Sequence, residues 1–174
     1  MYKYFTKTHK NKYSMKQIIL LRHGLDDSTG NLSNNGERQI VEIGGLLLEI
    51  IEGKSLKLFS SPAPRVIQSA EILSLVFEEK APIMLEEKLW SDRKHPYDLA
   101  WLYDLVERES PTVDVTILLS HMEYVELFPF YYASKKGKRG NICPKGDAEN
   151  GDGFIIEEKE NSINIFPLKL YPIG

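Results

Sequence analysis

The chain has 174 residues, of which 42% are hydrophobic and 27% charged, and its formal net charge is −3. That length suits one domain with a sizeable core, and the balance excludes a disordered chain or a strongly basic nucleic-acid binder. No apolar run nears the roughly 20 residues that span a bilayer, so no membrane partner is expected.

The charge is uneven. Residues 1–16 hold five lysines and no acid, whereas the remainder holds 17 basic and 25 acidic residues. If such an acidic body binds phosphate, it must concentrate positive charge locally, which makes individual arginines informative. The only cysteine, Cys143, excludes an intrachain disulfide and suggests no Cys-based metal site; a reducing cytoplasm is its natural compartment. Residues 1–14 are expected to be a disordered extension ahead of a single domain at 15–174.

In chain order, Gln17–Leu21 reads as a buried strand that feeds a tight turn at Arg22-His23-Gly24. A polar loop follows, and then Ser33 as the N-cap of a helix with Ile40, Ile43, Leu47, Ile50 and Ile51 on one face. Leu56–Phe59 is a second strand. Ser60-Ser61-Pro62-Ala63-Pro64-Arg65 leads from it into a helix through about Phe77, with Pro64 setting the entry. Pro82–Leu85 is a third strand and Tyr97–Glu109 a helix. Val113–Leu119 is a fourth strand ending at Ser120-His121. Glu123–Ala133 reads as a helix interrupted by Pro129, Lys135–Arg139 as a solvated basic loop, and Gly153–Glu157 with Ser162–Pro167 as a closing hairpin. Strands alternating with helices predict an α/β domain with a largely parallel sheet covered on both faces.

In such sheets the ligand crevice lies beyond the carboxyl ends of the strands. Three strands lead there to polar residues: the first to Arg22 and His23, the second to Arg65 and the fourth to His121. Arginine offers a planar fork of donors matched to phosphoryl oxygens, and a neutral imidazole can attack phosphorus. Arg-His-Gly alone is a weak signal. Here it stands with Leu32-Ser33-Asn34-Asn35-Gly36-Glu37-Arg38-Gln39, with Ser60-Ser61-Pro62-Ala63-Pro64-Arg65, and with Ser120-His121 after an apolar strand.

In these four motifs the chain resembles the histidine phosphatase superfamily, the phosphoglycerate mutase-like proteins. The resemblance implies a three-layer α/β/α sandwich and a phosphatase that acts on a phosphomonoester through a phosphohistidine on His23. Arg22, Arg65 and His121 would hold the phosphoryl group. The substrate would be a small phosphorylated molecule or a phosphoprotein, with a phosphate ion fitting the pocket and no metal or organic cofactor. A carboxylic acid would protonate the leaving oxygen, and Leu85-Glu86-Glu87 matches the segment that carries it, with Glu87 favoured over Glu86. Glu87 also lies in an acidic stretch with Glu78, Glu79 and Glu86, as a solvated face does.

Two departures from the family pattern bear on the pocket. Leu25-Asp26-Asp27 follows the first motif, and Met122-Glu123-Tyr124 follows His121. They support one alternative, a catalytically inactive phospho-ligand binder; the compact Arg22–Gly36 loop supports another, a protein phosphohistidine phosphatase. A mutase is disfavoured because no mutase-specific extension is matched. An EF-hand reading of 147–158 fails at Asp152, where the calcium-loop turn needs Gly. Trp90 and Trp101 are expected as core or pocket wall, and His95 has no evident partner.

Overall fold

The computed structural model describes residues 15–79, 81–92, 94–143 and 147–170. The extension expected at residues 1–14 lies outside the described residues.

Strand β1 (Lys16–Arg22) is apolar from Ile18 to Leu21, and all four of those side chains are buried. Successive side chains leave a strand on opposite faces, so Ile18 and Leu20 enter one core and Ile19 and Leu21 another. A strand buried on both faces belongs to a sheet with helices on both sides. Helix α1 (Asn34–Ile51) starts at the expected cap, where the Gly36 N–H donates to Ser33 Oγ. Its Ile40, Ile43 and Leu47 pack with Val66, Ala70 and Leu73 of α2 (Pro64–Val76) against Ile19 and Leu21. On the opposite face, α3 (Leu99–Glu109) and α4 (Met122–Lys136) bury Leu102, Val106, Val125 and Phe128 against Ile18 and Leu20. The architecture is the expected three-layer α/β/α sandwich.

The remaining strands are β2 (Leu56–Ser60), β3 (Ile83–Leu85), β4 (Val115–Ser120), β5 (Gly153–Glu158) and β6 (Ile163–Leu168). Their order across the sheet is β3-β2-β4-β1-β5-β6. The first four run parallel, and the closing hairpin β5–β6 is antiparallel to β1. β4 lies between β1 and β2. The helix following β1 lies on one face and the helix following β4 on the other, which opens a crevice at their carboxyl ends. Register completes the placement. Arg22 is level with Ser120, and Ser60 with Leu119, so the residues just beyond all three strands emerge on one rim.

Two expectations need correction. α4 is not interrupted at Pro129 but runs unbroken from Met122 to Lys136. Proline removes one backbone donor and crowds the preceding turn. Buried Tyr124, Val125 and Phe128 before it, and Tyr132 after it, hold the helix through the defect. Nor is the basic segment simply a solvated loop. Lys135 and Lys136 end α4, Gly137 closes it at φ 60°, and Lys136 and Lys138 each reach a carboxylate at 2.6 Å, Glu107 and Glu158 respectively. Glu158 is buried at the end of β5, where an ionised carboxylate needs such partners.

Candidate active site

β1 delivers His23 into a backbone frame that fixes it from three sides. Its N–H donates to Ser120 O at 3.3 Å, its carbonyl accepts from Gly151 N at 3.0 Å, and Arg22 N donates to Asp152 O at 2.9 Å. The imidazole is 5% exposed, and its Nδ1 lies 2.7 Å from Gly24 O. A carbonyl only accepts, so Nδ1 carries the proton and Nε2 is left with its lone pair. Gly24 has a steric reason: a Cβ there would lie 2.5 Å from Gly36 O, and one on Gly36 would collide with Leu25 O. The first two sequence motifs thus pack backbone against backbone, and Gly24 N is held by Ser69 Oγ of α2 at 3.2 Å.

Arg65, in the first turn of α2, joins the two histidines. Its Nε donates to His23 Nε2 at 3.0 Å, and its Nη2 lies 3.3 Å from His121 Nδ1. His121 Nε2 is then the protonated nitrogen and donates to Ser61 Oγ at 3.1 Å. The two rings stand edge to face with centroids 5.4 Å apart. Burial is the main cause that lowers His23 to a pKa of about 4, with Arg65 and Arg22 adding to it against the pull of the Gly24 carbonyl. Burial likewise lowers His121 to about 3, helped by His23 and Arg65. Both imidazoles are therefore neutral near pH 7. Arg22 donates from Nη1 to Ala148 O at 2.7 Å, while its Nε is buried without a partner among the described residues. A buried guanidinium N–H with no acceptor favours an anionic ligand beside it.

Solved structures share this arrangement of elements along nearly the whole chain. A protein from Agrobacterium tumefaciens, described as a phosphohistidine phosphatase SixA, superposes with a TM-score of 0.61 over 90% of this chain and 97% of its own, at 14% identity. The protein histidine phosphatase SixA complexed with tungstate gives 0.62 over 88% and 96%, at 15% identity. A mycobacterial glucosyl-3-phosphoglycerate phosphatase complexed with VO3 gives 0.58 over 91% and 100%, at 13% identity. The chain has the histidine phosphatase fold. No protein-family model and no curated protein matches its sequence.

On this histidine phosphatase fold, four of the five residues singled out from sequence meet at one rim: Arg22, His23, Arg65 and His121. Glu87 stands apart from them. It opens a short 3-10 turn (Glu87–Leu89) after β3, is exposed, and lines a neighbouring cavity of about 540 Å3. Among the described residues no hydrogen bond or ion pair joins Glu87 to either histidine. The carboxylates whose charges reach the histidines are others. Asp26 lies 3.8 Å from Arg65 Nε and favours protonation of His23, and Asp92 does the same for His121. Sequence reasoning noted Asp26 only as part of a departure from the family pattern and assigned no role to Asp92, Ser61 or Ser69. The Ser-Ser-Pro run was a signal for Ser61; nothing local marked Asp92. His95 does have a partner, since its Nδ1 lies 2.9 Å from Asp92. Among the described residues, no group of three or more His, Cys, Asp or Glu side chains is placed to hold a metal ion, and no helix is long and apolar enough to cross a membrane.

Proposed function

We propose that this chain is a phosphomonoesterase that works through a phosphohistidine on His23. The observation that carries the reading is the geometry of the buried His23 imidazole, with Nδ1 tied to Gly24 O and Nε2 turned toward the Arg65 guanidinium. Nε2 attacks phosphorus in line with the ester oxygen, the P–N bond forms and the P–O bond breaks. Arg22 and Arg65 hold equatorial oxygens, where charge develops. Once Arg65 moves onto them, His121 switches tautomer, with Ser61 Oγ donating to its Nε2 and its Nδ1–H donating to the third oxygen. Glu87 gives its proton to the departing alkoxide. In the second half, water attacks the phosphohistidine and gives its proton to the Glu87 carboxylate. The P–N bond breaks, and inorganic phosphate leaves. The side chains suffice for every step, with no metal or organic cofactor called for. Free Cys143 suits a reducing compartment such as the cytoplasm.

Two structural neighbours named as SixA give a protein phosphohistidine some support as substrate. The cavity beside the site and the carboxylate on its wall favour a small phosphomonoester instead. The deciding experiment is phosphate release from p-nitrophenyl phosphate by the wild type and by His23→Ala. The expected result is turnover by the wild type and a loss of ~10³-fold or more in the variant. Turnover that survives His23→Ala would sink the mechanism. Two inert proteins that still bind phosphate would make the chain a phospho-ligand binder.

A further inference from the structure

The cavity bordered by Glu87 lies outside the phosphoryl-binding residues, yet it is built from the same strand ends. Glu86 N donates to Ser60 O at 2.9 Å, and Ser120 Oγ donates to Leu89 O at 2.6 Å. These bonds fasten the segment after β3 to the tips of β2 and β4, which deliver Ser61 and His121. Tyr124, on the first turn of α4 after His121, closes the frame: its hydroxyl donates to Lys88 O at 2.6 Å and accepts from Asp98 N at 2.8 Å. Asp92 links the cavity to the site, bonding His95 on the cavity wall while its charge acts on His121.

The lining is unusual in its rings. Trp90 stacks on His95 with centroids 4.9 Å apart and planes 27° from parallel. Tyr97 meets Tyr124 edge to face at 6.4 Å. Two aromatic pairs thus wall a space of about 540 Å3, within the usual range of small-molecule sites. The charges on the same wall offset one another, Lys88 and Lys94 against Glu87 and Asp98, so they do not select a strongly charged group. The rings of Trp90, His95 and Tyr97 are the recognition element that remains, with the fully buried Tyr124 backing Tyr97 from behind.

We propose that this cavity is the leaving-group subsite and that it selects phosphomonoesters of planar aromatic alcohols. The proposal rests on the phosphomonoesterase reading and adds the substrate class. A phosphoryl group held between His23 and His121 directs its ester oxygen toward the Asp92 and Glu87 side, and the ring enters between the Trp90–His95 and Tyr97–Tyr124 pairs. Glu87 then faces the oxygen that must be protonated. This gives the exposed carboxylate a place in the chemistry that its distance from the histidines otherwise withholds.

The test uses phosphonates, which have no leaving group, so it does not depend on turnover. Affinities of benzylphosphonate and ethylphosphonate are measured by calorimetry on the wild type, Trp90→Ala and Tyr97→Ala. The wild type should prefer the benzyl compound by about tenfold or more, and each variant should cut that ratio several-fold. Tyr97 is 46% exposed, so Tyr97→Ala keeps the test alive where Trp90→Ala fails to fold. A ratio near one in the wild type, or one unchanged in Tyr97→Ala, overturns the proposal. Ester hydrolysis without benzyl selectivity overturns the subsite and leaves the phosphatase standing; selective binding by a protein inert toward phenyl phosphate does the reverse.

Discussion

Arg65 Nε donates to His23 Nε2 across 3.0 Å, and Asp26 Oδ2 lies 3.8 Å from the same arginine nitrogen. The guanidinium therefore caps the lone pair that phosphoryl transfer needs. A phosphoryl group bound to Nε2 must come between the two, so Arg65 has to shift onto its oxygens. Asp26 is placed to take up the released N–H, which in the proposed mechanism gives it a positioning role beside His23.

From this follows a prediction about charge. Arg65 is one of the causes that hold His23 down at about 4, so Arg65→Ala should raise that pKa toward the ordinary value near 6.5. Nuclear magnetic resonance titration of the His23 ring measures it directly. An unchanged pKa would mean that burial alone sets the value. Loss of the phosphoryl clamp should also lower kcat/KM by ~10²–10³-fold.

The acid assignment divides two carboxylates by side. Glu87 lines the cavity proposed for the leaving group, whereas Asp26 lies beside Arg65 and acts by its charge on His23. Glu87→Gln should slow esters of poor leaving groups far more than p-nitrophenyl phosphate, because only the former need the proton. Asp26→Asn should slow both alike. A series of substituted phenyl phosphates gives the dependence on leaving-group pKa for each variant. A steeper slope in Asp26→Asn, or in a matching Asp92→Asn, would transfer the role.

How much of this could be read from the sequence depended on range. The three strands leading to the rim were legible because β1 and β4 are apolar on both faces, and Ser33 and Pro64 marked the following helices by local rules. Arg22, His23, Arg65 and His121 were found because each stands at the edge of such an element: Arg22 ends β1, His23 and His121 follow β1 and β4, and Arg65 lies in the first turn of α2. Asp92 belongs to no element, and its role arises from contacts that only the fold makes: its carboxylate accepts from Lys94 N and His95 N, bonds the His95 ring, and acts by its charge on His121. The misreading of Pro129 has the same origin: a local rule for proline was overruled by burial that only the assembled α3–α4 layer supplies. Lys136 and Lys138 looked solvated because Glu107 and Glu158 are distant in sequence.

The two motif glycines offer a packing test. Alanine in a helix normally gains about 0.5–1 kcal/mol over glycine. Gly36 lies in the first turn of α1, yet a Cβ there would collide with Leu25 O. Gly36→Ala should therefore destabilise the fold, by about 1–3 kcal/mol as an overpacked site does. It should also lower activity by displacing the Gly24 carbonyl that orients His23. Urea unfolding and turnover together check this; a stabilised, fully active Gly36→Ala would show that the backbone approach has no role.

Acid sensitivity follows from the buried imidazoles. Folded His23 titrates near 4 and His121 near 3, whereas an unfolded chain binds those protons near 6.5. Between these values the unfolded state carries more protons, so stability is full above about pH 6.5 and falls as the pH drops toward 4. A shift of that size corresponds to roughly 3 kcal/mol for one isolated histidine. The two rings interact, so their combined effect is less than additive. Glu158 extends the loss further. Burial works against its ionised form, but Lys138, Tyr132 and Lys136 hold its pKa down to about 2, so its contribution disappears only as the pH falls from about 4.5 toward 2. Denaturant unfolding from pH 7 to about pH 2 should show a two-stage decline. His121→Asn should flatten the upper stage and leave the lower one, whereas Glu158→Gln should remove the lower stage alone. A single decline centred below pH 4.5, unaffected by His121→Asn, would mean that the histidines titrate normally in the folded protein.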